Sequence, residues 1–163
     1  MAVQPLGNDR TTAYSQGNEL VMERIFEAPR DLVWKVITDP ERVSRWWGPR
    51  ENTTTVEEMD VRVGGRWRWV NHTAEGFDAP FKGEYLEVVA PERYVRTEIF
   101  DVPGMDDKAA VETLTLEDLG GRTKLTSRTR FPSADDLQGA LATGMIGGAL
   151  QTYDRLAEEI ALG

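Results

Sequence analysis

The sequence predicts an α+β domain in which a curved antiparallel sheet wraps around one long C-terminal helix. Between residues 53 and 131, six segments of strand-like alternation follow one another with only short turn signals between them. The C-terminal segment carries a single apolar stripe at helical spacing behind a capping signal. The helical segments also stand apart from the strands instead of alternating with them, which separates α+β from α/β.

Taken in chain order, residues 1–17 are polar, contain Pro and Gly and show no period, so they are expected to form a flexible tail ahead of a single domain over 18–163. Residues 19–27 alternate loosely and include β-branched and aromatic side chains, which marks a first strand. Ala28-Pro29 ends it. Pro29 suits the opening of a helix, Asp31 favours its positive end, and Leu32, Val33, Val36 and Ile37 give an apolar stripe. Asp39-Pro40 stops that helix and starts a shorter one that closes at Trp46-Trp47-Gly48-Pro49. Residues 53–63, 66–73, 81–89, 93–101, 109–118 and 123–131 then read as strands. They are separated by Gly64-Gly65, Glu75-Gly76, Ala90-Pro91-Glu92, Pro103-Gly104 and Gly120-Gly121. Links this short favour an antiparallel meander, and with the first strand the sheet has seven strands. From Ser133, whose side chain can cap the chain at Asp136, a long helix is expected to about Leu162. Its apolar face is Leu137, Leu141, Met145, Ala149, Tyr153, Leu156 and Ile160, with Asp154, Arg155, Glu158 and Glu159 mainly on the wet side.

Composition narrows the function. A chain of 163 residues with 40% hydrophobic and 29% charged residues supports one core without staples. With no cysteine, neither disulfides nor a thiolate zinc site arise. The net charge of −9 repels phosphate backbones and anionic lipid, so nucleic acid is not an expected partner. No run approaches the roughly 20 apolar residues of a bilayer span, and no signal-peptide layout is present, so no membrane insertion and a cytoplasmic location are expected.

Strand alternation says what faces the helix. Arg66 and Arg68 belong in solvent, which turns Trp67, Trp69 and Asn71 inward; Lys82 and Glu84 outward leave Phe81, Gly83 and Tyr85 inside. In the last strand Leu125, Ser127, Thr129 and Phe131 point in. The strands over 93–101 and 109–118 do not alternate cleanly. The inward set mixes bulky aromatics with small and polar groups, which leaves space and unused hydrogen-bond capacity, as a ligand pocket requires. The alternative is a filled core in which the hydroxyls bond neighbouring backbone. Gly139, Gly144, Gly147 and Gly148 in the helix allow close packing, a cavity beneath, or a bend.

Candidate chemistry is sparse. His72 is the only histidine, and alternation puts it on the surface. Glu98 and Glu112 lie in strands and can be buried, or can pair with Arg96 or Arg128 across the surface. Asp60 and Arg62 suit an ion pair or a turn anchor. Gly64-Gly65 and Gly120-Gly121 precede strands, so they are hairpins and not phosphate loops. No set of nucleophile, base and oxyanion donor assembles, no catalytic residue is assigned, and no metal or cofactor is implied.

Several motifs, weak singly but specific in this order, carry a resemblance. They are Arg24-Ile25-Phe26-Glu27-Ala28-Pro29 with Val33-Trp34, Trp46-Trp47-Gly48-Pro49, Asp60-Val61-Arg62-Val63-Gly64-Gly65-Arg66-Trp67, Gly83-Glu84-Tyr85, and Gly144-Met145 with Gly148. Over about 19–162 the chain resembles the SRPBCC (START/Bet v-like, helix-grip) superfamily, and within it the branch homologous to the heat-shock-protein-90 ATPase activator. The resemblance implies a seven-stranded sheet gripping the C-terminal helix over a hydrophobic cavity, with two short helices between the first and second strands. It implies no shared catalytic set. Ala149 stands where tryptophan is frequent, which implies a larger or reshaped cavity end, and Val63 where proline is common. The separate N-terminal domain of the eukaryotic co-chaperone is missing, which argues against ATPase activation.

The leading expectation is a binding protein for a small apolar ligand, lipid-, polyketide- or aromatic-like. Trp67, Trp69, Phe81, Tyr85, Phe131, Leu141 and Met145 would bury it, and Asn71, Ser127 or Thr129 would orient it. A cyclase- or hydrolase-type enzyme in the same cavity is the second reading, discriminated by a buried titratable group with a displaced pKa. A chaperone- or stress-related module with a protein partner is the third, requiring an exposed apolar patch near Trp46-Trp47. Either a monomer or a homodimer is compatible with all three.

Overall fold

The computed structural model describes residues 2–163. Nine strands and four helices follow in the order β1 (Gln4–Pro5), β2 (Thr12–Gln16), β3 (Glu19–Phe26), α1 (Arg30–Thr38), α2 (Pro40–Trp46), β4 (Thr53–Met59), β5 (Arg66–His72), β6 (Asp78–Val89), β7 (Arg93–Phe100), β8 (Ala110–Asp118), β9 (Thr123–Arg130), α3 (Ala134–Leu141) and α4 (Met145–Ala161). One antiparallel sheet has the order β1-β2-β3-β9-β8-β7-β6-β5-β4. The meander from β4 to β9 thus returns to pair with β3, consistent with a helix grip.

The sheet has nine strands, not seven, and the segment expected to be a flexible tail supplies the two extra ones. Thr12–Gln16 pairs along β3 from Thr12↔Glu23 to Gln16↔Glu19, and Gln4–Pro5 pairs with β2. The inward residues of β2 are Ala13 and Ser15, both buried. Side chains so small give almost no hydrophobic alternation, although the strand is fully laddered.

The helix starts follow local chemistry. Asp39 accepts the Glu41 N–H at the head of α2, and the Ser133 hydroxyl accepts the Asp136 N–H at the head of α3. The expected single long helix is broken into α3 and α4 at residues 142–144. Gly144 sits at φ +82°, a left-handed conformation that ends one helix and starts the next. No atom lies within 4 Å of a Cβ added at Gly139, Gly144 or Gly147, so these glycines face open space; of the four, Gly148 alone packs tightly, against Pro49. Gly144→Ala should therefore act through the backbone alone. It should cost about 1 kcal/mol and lower Tm by roughly 2–4 °C, with Gly144→Asn milder.

Two apolar clusters lie between sheet and helices. The larger joins Val33, Val36, Val43 and Trp46 of α1 and α2 to Trp67, Trp69 and Tyr85 of the sheet and Leu156 and Ile160 of α4. The smaller joins Ala13, Leu20 and Met22 to Leu137, with Phe131, Leu141 and Met145 against it. Tyr153 packs against both. Glu159, expected on the wet side of the helix, is buried instead, because α2 covers it and Arg42 meets it at 3.3 Å. Arg155 holds the last turn of α2 and the loop after it by donating to the carbonyls of Arg45 and Gly48.

Candidate site in the grip

The centre of the concave face is polar. Register places Tyr85 beside Arg96, Arg96 beside Glu112, and Leu114 beside Ser127, so four successive strands aim these side chains at one region. Arg96 is only 5% exposed. Its Nε donates to Glu112 Oε1 at 3.0 Å. The guanidinium carbon lies 4.0 Å from the Trp67 ring centroid, 4.7 Å from that of Trp69 and 5.1 Å from that of Tyr94. Cation–π contact on several faces thus replaces much of its lost hydration. The Glu112 carboxylate also accepts the Ser127 hydroxyl at 2.6 Å and the Tyr94 hydroxyl at 3.3 Å. These contacts offset part of the cost of burying the ion pair.

Glu112, the acceptor at the centre of this network, is filled, while donors beside it are not. Among the described residues three buried side-chain nitrogens have no hydrogen-bond partner: Arg96 Nη1, Trp69 Nε1 and Arg93 Nε. Arg93 belongs to a surface pair with Glu87. The other two belong to the site. By contrast, Trp46 Nε1 donates to the Val36 carbonyl and Trp67 Nε1 to the Thr97 carbonyl, each at 3.1 Å.

Electrostatics separates the titratable groups. Burial raises the hydroxyls of Tyr85, Tyr94 and Tyr153, which therefore stay protonated. Burial opposes the Arg96 charge, yet Tyr94 and Glu112 outweigh it and Arg96 remains cationic. Glu98, on the same face of β7, is pushed up from 4.5 to about 7, first by burial and then by the Glu112 charge, with Arg96 pulling the other way. The folded state therefore binds the Glu98 proton more tightly than the unfolded chain does. Stability should fall as pH rises from 4.5 to about 7 and level off above. Glu98→Gln should remove that slope, worth about 1–3 kcal/mol, in urea melts between pH 4.5 and 8.

The residues expected to line the site fall into three groups. Trp67, Trp69, Phe81 and Tyr85 belong to the larger cluster; Phe131, Leu141 and Met145 to the smaller; Ser127 and Thr129 sit on β9 between them. Asn71 points inward but toward the loop after α2. Its Nδ2 donates to Thr54 Oγ1 at 2.9 Å and its Oδ1 accepts from Asn52, so it braces β4 on β5. Gly83 does not leave space, because the Trp67 ring covers it: a Cβ there would lie 2.6 Å from Trp67 Nε1. Glu112 does pair with Arg96, but inside the grip and not across the surface. Arg96, Tyr94 and Tyr153 went unassigned because β7 carries Arg96 and Glu98 on its buried face, which destroys the usual polar-out pattern. The usable signal was positional: Tyr94, Arg96 and Glu98 share one parity, and Glu112 is the register partner of Arg96.

Outside the grip, His72 bonds Thr55 at 2.7 Å and Asp78 at 2.8 Å on the surface, and Arg62 pairs with Asp60 at 2.7 Å. A surface depression of about 410 Å³ beside α4 is lined by Arg10, Arg24, Arg50, Asp154 and Glu158, whose charges are mutually paired. Among the described residues no cluster of three or more His, Asp or Glu is arranged to hold a metal, and no helix is long and apolar enough to cross a membrane.

Against this geometry, the comparisons with known proteins converge. A family model described as Activator of Hsp90 ATPase homolog 1-like protein matches residues 27–161. A solution structure from Arthrobacter aurescens is similar at TM-score 0.82 and 23% identity, covering 90% of this chain and 87% of its own. A crystal structure from Rhodobacter sphaeroides is similar at TM-score 0.82 and 21% identity, covering 94% and 99%. One from Chromobacterium violaceum is similar at TM-score 0.74 and 27% identity, covering 88% and 96%. No match was found among curated proteins.

Proposed function

The chain belongs to the Activator of Hsp90 ATPase homolog 1-like family, and from that premise we propose that it binds a small apolar ligand between its sheet and C-terminal helices. The observation that carries this reading is the junction of two apolar clusters over a buried polar patch that keeps two donors unpartnered. Trp67, Trp69, Phe81 and Tyr85 would form one wall, and Phe131, Leu141 and Met145 the other. Phe81, Leu141, Met145 and Ala149 are only partly buried and would form the rim. A lipid-, polyketide- or aromatic-like skeleton meets these requirements. Ligand titration should change tryptophan emission and raise Tm, since binding to the folded state alone adds RT ln(1 + [L]/Kd). A panel of fatty acids, polyketides and aromatics that leaves both unchanged would remove the reading.

One observation favours a second reading, a proton-transfer enzyme. Glu98 stands on the Arg96 face of β7, where burial and then the Glu112 charge push its carboxyl up to about 7, the range in which a carboxylate serves as a general base. Solvent-deuterium exchange into carbon positions of bound ligands, followed by NMR, should then occur in the wild type and stop in Glu98→Gln. The protein-interaction reading has no such support: the Trp46 ring is buried and Trp47 packs at 5.3 Å against both Trp69 and Phe81.

A further inference from the structure

We infer that the polar patch of the grip receives an uncharged carbonyl oxygen (ketone, ester or quinone) of the apolar ligand, with Arg96 Nη1 and Trp69 Nε1 as its donors. This rests on the ligand-binding reading above and specifies the chemistry of the ligand's polar end.

Three constraints lead to it. The first is donor and acceptor accounting. Glu112 is already served by Arg96, Tyr94 and Ser127, while the two orphaned atoms are both N–H donors. They lie on side chains in contact with each other, the Arg96 guanidinium carbon being 4.7 Å from the Trp69 ring centroid. A pure hydrocarbon would leave both unpaired, at the full desolvation cost of each. The second constraint is charge. The groups facing this region are Tyr85 on β6, Tyr94, Arg96 and Glu98 on β7, Glu112 on β8 and Tyr153 on α4. They comprise one cation and two carboxyls, and the field already favours the proton on Glu98. A carboxylate ligand would add a second negative centre beside Glu112 in this low-dielectric setting, and an amine would bring donors beside two that already lack an acceptor. The third constraint is valence. A carbonyl oxygen has two lone pairs, carries no charge and accepts from two N–H groups at once.

The test uses two skeletons, naphthalene and a ten-carbon chain, each as hydrocarbon, methyl ketone and carboxylate. Affinities are measured by calorimetry on the full chain, wild type and Trp69→Phe. Trp69→Phe keeps an aromatic ring against Arg96 and removes one donor; Arg96→Lys is a second variant, used where circular dichroism shows it folded. The ketone should bind roughly 5–10-fold more tightly than its hydrocarbon, the effect of about one net hydrogen bond. Trp69→Phe trims the apolar wall for both ligands, so the readout is their ratio: the ketone should lose roughly 3–10-fold more affinity than the hydrocarbon does. Equal affinity for ketone and hydrocarbon, or a Trp69→Phe effect that is the same for both, would mean that water satisfies the donors and would overturn the inference alone. A carboxylate that binds most tightly would also overturn it and point to an anion site. Failure of every compound on both skeletons would take the ligand-binding reading down with it.

Discussion

Glu112→Ala is expected to destabilise the domain by about 3–5 kcal/mol, a large part of the stability of a chain this size. The loss is not that of one salt bridge. Truncation leaves the Arg96 guanidinium, 5% exposed, without its hydrogen-bonded counter-charge, and strips the Tyr94 and Ser127 hydroxyls of their acceptor. A double variant, Arg96→Met with Glu112→Leu, removes both charges together and should recover most of the loss, because a well-packed apolar pair often equals or exceeds a buried ion pair. Urea unfolding of the three proteins measures this directly. If Glu112→Ala unfolds near the wild-type midpoint, the pair is solvated and the buried patch does not exist as described. The comparison also separates stability from function: the double variant should fold yet lose the preference for a ketone over its hydrocarbon.

Gly83→Ala is the second large effect. A Cβ at this position would lie 1.8 Å from the Thr97 carbonyl oxygen and 2.6 Å from Trp67 Nε1. Those two atoms are the partners of a 3.1 Å hydrogen bond, so the methyl group would be driven into it. Gly83 has no positive φ, so the cost is steric and does not come from backbone preference. The strand pair must separate, or the Trp67 ring must move off Arg96. Overpacking at a rigid neighbour, together with a lost buried hydrogen bond, puts the loss at about 2–4 kcal/mol. Near-UV circular dichroism should report the displaced indole even where the protein still folds.

These two positions show what the sequence made legible. The alternation of Arg66 to Asn71 and of Phe81 to Tyr85 was enough to turn Trp67, Trp69 and Tyr85 inward, because the charged neighbours on the other parity exclude the opposite face. The capping serine at 133 and the proline at 40 located helix starts for similarly local reasons. Three features were not legible, each for a physical reason. β2 buries only Ala13 and Ser15, too little apolar area to produce a signal. The helix break depends on the left-handed conformation of Gly144, which a glycine permits but does not dictate. The site itself is obscured because Arg96 and Glu112, both buried, and Glu98, half-buried on the same face, reverse the rule by which strands are read. Local rules are expected to fail where function places charge inside.

The small residues illustrate the same limit. The alternation reading makes Gly83 a source of space, and the helix glycines allow close packing, a cavity or a bend, of which the break at Gly144 is the bend. In the structure the Trp67 ring covers Gly83, and three of the four helix glycines face open space. What points to a ligand is chemistry and not volume: donors that the protein leaves unpartnered at the meeting of two apolar clusters.

That case is tested most directly by the indole N–H signals of the five tryptophans in a proton–nitrogen NMR spectrum. On addition of an aromatic methyl ketone the Trp69 signal should move downfield as its Nε1 gains an acceptor. The Trp46 and Trp67 signals, whose hydrogen bonds to Val36 and Thr97 are already made, should move little. A Trp69 signal that stays in place at saturating ligand would contradict the account.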